Sequence, residues 1–339
     1  MALPFLAVLV PFGIKNICRN KIGLSSLPKI NAAMAVLSIQ NLSKNYNTVK
    51  ALQGVSFEVP PQTVFGILGP NGSGKTTLLG IVMDVLKATG GTYAWMGQPG
   101  NADTRKKIGT LLETPNFYHY LSAEDNLRIA AKIKGRGEED IDKVLHIVNL
   151  HQRKTSKFNT YSLGMKQRLA IAAALLGNPD ILVFDEPTNG LDPAGIAEIR
   201  ELIKELNRNG KTIIMASHIL DEVEKVCTHV AIIQKGVLKA VGSVKEVMNV
   251  NGSTTANAAI IEISADDNNT LLEAIKNMQG VITAEITDGS VQLTCAETVS
   301  AAQVNKFCFE NGMVLNKLNV KHKSLETRFL EITGTKSEK

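Results

Sequence analysis

The eight residues Gly69-Pro-Asn-Gly-Ser-Gly-Lys75-Thr76 constrain this chain more than any other stretch. They follow an unbroken apolar run, Val64–Leu68, and open a segment, Lys75–Val85, whose pattern predicts a helix. A short apolar run of this kind suits a strand buried on both faces. The pattern G-x-x-x-x-G-K-[ST] between strand and helix is that of a phosphate-binding loop. Its glycines let successive N–H groups turn inward as an anion nest, and the helix N-terminus adds a partial positive charge. Lys75 is placed to reach the β- and γ-phosphates of a nucleotide, and the Thr76 hydroxyl to ligate Mg²⁺.

Around this loop, short apolar runs alternate with helical stretches. Val36–Leu42, Val55–Val59, Ile108–Leu112, Ile181–Phe184 and Thr212–Ala216 read as strands. Residues 122–150 read as mostly helical, broken at Gly135-Arg136-Gly137. Ser162–Leu176 reads as an apolar helix stopped by Gly177-Asn178-Pro179, and a further helix follows Pro193. The alternation predicts an α/β fold with a mainly parallel sheet covered on both faces.

The 339 residues leave room for a second domain, at about 150 residues per domain. A boundary is expected near Asn249–Asn257, where Asn, Gly, Ser and Thr cluster without periodicity. Beyond it, Ala258–Ile263, Val281–Ile286, Val291–Thr294 and Val314–Val320 read as strands, with helices after the first and third. That order suggests a small ferredoxin-like α/β domain. The expected divisions are 1–33, 34–250 and 258–333.

Composition narrows the class. Hydrophobic residues make up 44% and charged residues 20%, which excludes a disordered or collagen-like chain. Lys15, Arg19, Lys21 and Lys29 supply four of the five net positive charges, and residues 1–33 hold no acid. The remainder is nearly neutral, so charge gives no case for nucleic acid as a partner. The longest apolar stretch, Met1–Ile14, is interrupted by Pro4, Pro11 and Gly13, short of the ~20 apolar residues of a spanning helix. Its charges follow the apolar run, whereas a secretory signal places them before it. Residues 1–33 are read as a leader outside the fold, an upstream start, or a membrane-surface anchor. Cys18, Cys227, Cys295 and Cys308 show no metal or redox spacing and read as small buried hydrophobes in a reducing compartment.

A second chemical signal is Ile181-Leu-Val-Phe-Asp185-Glu186. An apolar parallel strand delivers carboxylates to its C-terminal edge, where ligands bind in such sheets. Asp185 is expected to hold Mg²⁺, and Glu186 to polarise an attacking water as general base.

Taken together, residues Val36 to Val250 resemble the nucleotide-binding subunit of ABC transporters, a P-loop NTPase fold with a helical subdomain. Further motifs follow in that family's order. Tyr46 stands where the family stacks a ring on adenine. Tyr161-Ser-Leu-Gly-Met-Lys-Gln167-Arg168 stands at the family signature. Asn189-Gly-Leu-Asp192 resembles the loop lining the dimer interface, and Ser217-His218 the switch histidine at the γ-phosphate. Two departures stand out. Ile108-Gly-Thr-Leu-Leu-Glu113 ends in Glu where most members have Gln, and the signature carries Leu163 and Met165 around Gly164. A carboxylate at Glu113 can ligate Mg²⁺ or orient water but cannot donate an N–H bond. Ser162 still suits a helix N-cap. Both departures resemble the subgroup serving peptide-antibiotic (bacitracin- or lantibiotic-type) export and immunity. Ser324-Leu-Glu-Thr-Arg-Phe-Leu-Glu331-Ile resembles the tail of such exporter ATPases.

The resemblance implies ATP and Mg²⁺ as ligands. It implies ATP contacts from Tyr46, Gly69, Pro70, Asn71, Gly72, Ser73, Gly74, Lys75, Thr76 and Thr77. It puts Glu186, His218 and Glu113 at the chemistry and Thr76, Asp185 and Glu113 at the metal. Ser162, Leu163, Gly164 and Met165 would close on the ATP of a partner subunit across an interface that includes Asp192. With one motif set per chain, a homodimer or heterodimer is expected, working with a separate membrane permease at the cytoplasmic face of the membrane. A soluble ABC-type ATPase or a nucleotide switch is the alternative. The C-terminal domain shows no catalytic constellation, and a regulatory or interface role and a plain folding module both remain open for it.

Overall fold

The computed structural model describes residues 34–112, 116–249, 259–287, 289–296, 299–321 and 325–334. The leader expected over 1–33, Glu113 and most of the expected boundary segment lie outside them. In chain order the first elements are β1 (Leu37–Tyr46), β2 (Val49–Val59), β3 (Val64–Leu68), α1 (Lys75–Val82), β4 (Gly90–Trp95), β5 (Gln98–Pro99), α2 (Ala102–Lys106) and β6 (Ile108–Leu111). Next come α3 (Ala123–Lys134), α4 (Ile141–Ile147), α5 (Leu163–Leu175), β7 (Ile181–Asp185), α6 (Pro193–Arg208), β8 (Thr212–Ser217), α7 (Leu220–Val226), β9 (His229–Gln234), β10 (Val237–Ser243) and α8 (Val244–Asn249). The chain continues through β11 (Ala259–Ser264), α9 (Asn268–Ile275), β12 (Val281–Thr287), β13 (Ser290–Cys295), α10 (Ala301–Glu310), β14 (Lys317–Lys321) and α11 (Leu325–Thr333).

The central sheet has the order β10-β9-β3-β8-β7-β6. Its strands run parallel except β10, which returns antiparallel beside β9. The strands read as Val36–Leu42 and Val55–Val59 do not join it. They extend to β1 and β2 and form a separate antiparallel sheet, β2-β1-β4-β5. The mainly parallel sheet is present as expected, but these two runs are not part of it, and the cause is their pairing partner. Gly90-Gly-Thr-Tyr-Ala-Trp95 is too short and glycine-rich to announce itself, yet it is what β1 pairs with on its second edge.

Strand periodicity divides the central sheet's side chains between two cores. Phe65, Ile67, Ile181, Val183, Ile214, Ala216, Ala231 and Ile233 face the antiparallel sheet and α1. Val64, Leu68, Leu182, Phe184, Ile213, Met215, Val230 and Ile232 face the helices. Each such burial of a Val, Leu, Ile, Phe or Met contributes about 1.5–3 kcal/mol. Phe57 of β2 stacks on Phe65 of β3 with ring centroids 5.3 Å apart, joining the two sheets. Between them α1 buries six of its eight residues, leaving only Thr76 and Thr77 at its start unburied. Trp95 Nε1–H donates to the Val82 carbonyl (2.8 Å), anchoring the end of α1 to β4.

Helices α3, α4 and α5 pack into a helical subdomain. Lys134, the last residue of α3, donates to the carbonyls of Ala173 (2.6 Å) and Ala174 (3.1 Å) near the end of α5. Burial, with the Arg136 guanidinium beside it, pushes Lys134 down to about 8 from its ordinary 10.5. Between those pH values the unfolded chain binds the extra proton. Stability from this group therefore rises with pH there, by at most about 1.4 kcal/mol per pH unit. Urea unfolding of wild type and Lys134→Met at pH 8 and 9.5 measures it. The difference should move in favour of the wild type at the higher pH, and a shift the other way would contradict the assignment.

The C-terminal strands form a fully antiparallel sheet of order β12-β13-β11-β14. With α9 and α10 between the strands, the element order is strand, helix, strand, strand, helix, strand, as read from the sequence. It has its own core, centred on Ile261, Ile263, Leu271, Val291, Leu293 and Val304. Then α11 returns to the central sheet, where Leu325 and Phe329 join its helix-side core. No helix among the described residues is long and apolar enough to cross a membrane.

Candidate nucleotide-binding site

The phosphate loop runs from the end of β3 into α1, as the apolar run and the helical pattern predict. Gly74, at φ 109°, precedes the first helical residue. A Cβ there would lie 2.5 Å from the Ala51 carbonyl, so the turn admits no side chain. Lys75 is only 5% exposed. Its Nζ donates to the loop carbonyls of Gly69 (2.9 Å) and Pro70 (3.3 Å). It also pairs with Glu186 Oε1 at 3.4 Å.

Asp185 and Glu186 come off β7 at the C-terminal edge of the sheet. Asp185 is 3% exposed. Glu186 sits at φ 48°, a conformation uncommon outside glycine, and its N–H donates to the Ala216 carbonyl of β8 (3.0 Å). The turn aims its carboxylate back across the sheet edge. There Oε2 lies 2.9 Å from Nδ1 of His218, just beyond β8. Strands β3, β7 and β8 are adjacent, and that adjacency brings Lys75, Glu186 and His218 into one chain of contacts.

Lys75 and Glu186 border a cavity of about 550 Å³ lined also by Asn71, Gly72, Gly74, Thr76 and Thr77, with Val49, Lys50, Gln53 and Lys235 on the other wall. Sequence reasoning missed that second wall. Lys235 (φ 50°) and Gly236 make the β9–β10 turn, and Gly236 N–H donates to the Ser73 carbonyl at 2.9 Å. Tyr46 ends β1, 43% exposed, and Lys44 Nζ lies 4.9 Å from its ring centroid. It is not among the residues lining the cavity.

A larger concentration of phosphate-seeking groups is hard to assemble by chance. The buried Ser73 Oγ has no hydrogen-bond partner among the described residues. An orphaned buried hydroxyl costs about 1–3 kcal/mol, and a phosphate oxygen would relieve that cost. The Thr76 hydroxyl and Asp185 carboxylate form an oxygen donor set that suits Mg²⁺.

The signature lies away from this cavity. Ser162 caps α5, its Oγ accepting from Met165 N–H (3.3 Å), as the sequence suggested. Asp192 caps α6, its Oδ1 accepting from Gly195 N–H (3.0 Å). The two caps are neighbours: Leu163 packs against Gly190, and Leu191 against Gly164. Leu163 itself is exposed. Ser162, Leu163, Gly164, Met165 and Asp192 thus gather on one surface, and none lines the cavity of their own chain.

Comparison with known proteins agrees with this geometry. Residues 52–189 match the family model described as ABC transporter. The chain is 33% identical over 304 residues to the bacitracin transport ATP-binding protein BcrA of Enterococcus faecalis, covering 88% of this chain and 96% of that protein. It is 39% identical over 201 residues to the lantibiotic transport ATP-binding protein SrtF of Streptococcus pyogenes, covering 59% and 88%. Among solved structures it resembles the ATP-binding cassette MJ0796, a dimeric post-hydrolysis state bound to ADP and Pi. That match has a TM-score of 0.55 and 27% identity, over 61% of this chain and 98% of that one. A similarity spanning nearly the whole length, joined to a phosphate loop whose Lys75 meets Glu186 beside a buried Asp185, makes this chain an ATP-binding, ATP-hydrolysing member of the ABC transporter family.

Proposed function

We propose that the chain powers a separate membrane permease that exports a peptide antibiotic or similar amphipathic compound, working as a dimer at the cytoplasmic face of the membrane. The observation carrying this reading is the split site. The phosphate loop and Glu186 line one cavity, with His218 touching Glu186 and Asp185 directly before it on β7, while the signature cap at Ser162 stands on a different surface beside Asp192. Phosphoryl transfer needs charge neutralisation on every side of the γ-phosphate. A second cassette, whose signature cap supplies N–H groups to the open side, meets that need. The cargo class rests on the bacitracin and lantibiotic transport proteins that the chain resembles.

Within one chain the roles follow from contacts. Gly69 to Thr77 and Lys75 would bind the phosphates, and Tyr46 would stack on the base. Glu186 would accept a proton from the attacking water, held toward it by His218. Thr76 and Asp185 would hold Mg²⁺, which when bound neutralises charge on the β- and γ-oxygens. Glu113 stands in sequence where it could add a third carboxylate near that metal.

A groove on the helical subdomain suits the membrane partner. It has a volume of about 360 Å³ and is lined by Phe117, Tyr118, Asn126, Ile129, Ala130 and Ile133. Ile133 is 82% exposed, Tyr118 in the same groove is exposed, and the exposed Tyr120 ring lies 6.0 Å from that of Tyr118. A large apolar side chain held in water marks an interface better than a core. Ile133→Asp should cut co-purification of the membrane subunit about ten-fold while leaving the ATPase rate of the isolated chain unchanged. Undiminished co-purification would move the docking surface elsewhere. Failure of any membrane protein to accompany the wild type would favour a soluble ATPase.

A further inference from the structure

Helix α11 contacts two elements that each lead toward the nucleotide site, α7 and the end of β9. At its start, Leu325 N–H donates to Glu224 Oε2 at 2.8 Å. A carboxylate there satisfies one of the helix's orphan N–H groups and meets its positive end. Glu224 belongs to α7, the helix that begins two residues after His218. At the other end, the Thr333 carbonyl accepts from Gln234 Nε2 at 3.1 Å. Gln234 closes β9 and leads directly into the Lys235-Gly236 turn that donates to Ser73 in the phosphate loop. Between these ends, buried Arg328 donates Nε–H to the Val247 carbonyl of α8 (3.1 Å) and pairs with Glu331 (2.7 Å).

Helix α7 has little freedom of its own. A Cβ at Gly66 of β3 would lie 2.9 Å from Val223 and 3.0 Å from Cys227, so α7 rests almost on the strand backbone. On its flank Glu222 pairs with Arg200 of α6 at 3.3 Å. A helix held this closely passes a displacement at one end to its other end, where His218 meets Glu186.

We propose that α11 is a strap that positions both halves of the ATP site. Glu224 fixes α7 and, through it, His218. Gln234 fixes the β9–β10 turn and, through it, the phosphate loop. Neither side chain reaches the cavity, so both are positioning residues. The inference rests on the reading of His218 and the loop as the groups that contact the γ-phosphate. Because α11 follows β14, the C-terminal unit carries the strap and gains a route to the chemistry without lining the site.

The two ends predict different kinetic signatures in steady-state ATP hydrolysis by the full chain. Glu224→Ala should lower kcat about five-fold with KM for ATP within about two-fold, since α7 serves the chemical step. Glu224→Gln keeps an acceptor oxygen and should restore most of that loss. Gln234→Ala should raise KM about five-fold with a smaller change in kcat, since the loop serves binding. His218→Ala in the same series separates the two readings. Wild-type turnover by that variant would defeat the histidine's role whatever the strap does. If His218→Ala is inactive, wild-type constants in both strap variants overturn the strap. So do equal shifts in kcat and KM that glutamine fails to rescue, which would leave α11 merely structural. Gln234→Ala sits at the opposite end and carries the test alone should Glu224→Ala fail to fold.

Discussion

Glu186→Gln is expected to lower kcat for ATP hydrolysis by about 10²–10⁴-fold, the usual worth of a positioned general base, while ATP still binds. The amide occupies the same volume and can keep contact with His218, whose Nδ1 lies 2.9 Å from Oε2. It cannot take a proton from water. Binding should not suffer, because the substitution removes a negative charge from beside the γ-phosphate. ATP-bound dimers should therefore accumulate, visible as an earlier peak in size-exclusion chromatography with Mg-ATP. Turnover within a few-fold of wild type would remove Glu186 from the chemistry.

Lys75→Ala should weaken ATP binding on the order of 100-fold, about 2.7 kcal/mol, read by calorimetry. Without nucleotide, Lys75 holds the loop through Gly69 and Pro70 and balances Glu186 at 3.4 Å. Its loss leaves no ammonium in contact with Glu186, and the remaining lysines of the cavity, Lys50 and Lys235, line the other wall. The fold should persist, because the core residues of β3 and α1 pack on each other and not on Lys75. Unchanged affinity would mean that the phosphates lie elsewhere in the cavity.

Much of the catalytic edge was legible because its chemistry is local. The span Val64–Leu68, the loop and the start of α1 stand where the pattern put them, as do β7, α5 and the helix after Pro193. Apolar runs between glycine, proline and capping residues leave little choice of element. Pairing was less legible. The runs that became β1 and β2 look like buried parallel strands, and nothing local says that their partner is Gly90–Trp95. The β9–β10 turn went unremarked although it forms a wall of the cavity, because Lys235-Gly236 is an ordinary hairpin turn until the loop it braces is seen beside it. The same holds for α11. The segment after Ser324 showed a family likeness, but its partners Glu224 and Gln234 are about 100 residues away along the chain, beyond any local signal.

Connectivity adds a thermodynamic link to the strap. In the C-terminal sheet β11 and β14 are neighbours, with Ile260 opposite Lys321, so the chain leaves that unit about one strand spacing, ~5 Å, from where it came in. While the unit is folded, α11 is tethered to α8 by a short effective loop. If the unit unfolds, the tether becomes the whole chain from Asn249 to Leu325, some 75 residues. Loop-closure entropy grows by about 0.6 kcal/mol per doubling, so α11 would dock roughly 1.5 kcal/mol less favourably with no contact in its own interface altered. Roughly a ten-fold drop in the docking equilibrium constant would then report the folded state of a distant unit to the ATP site, and it would do so through chain statistics alone.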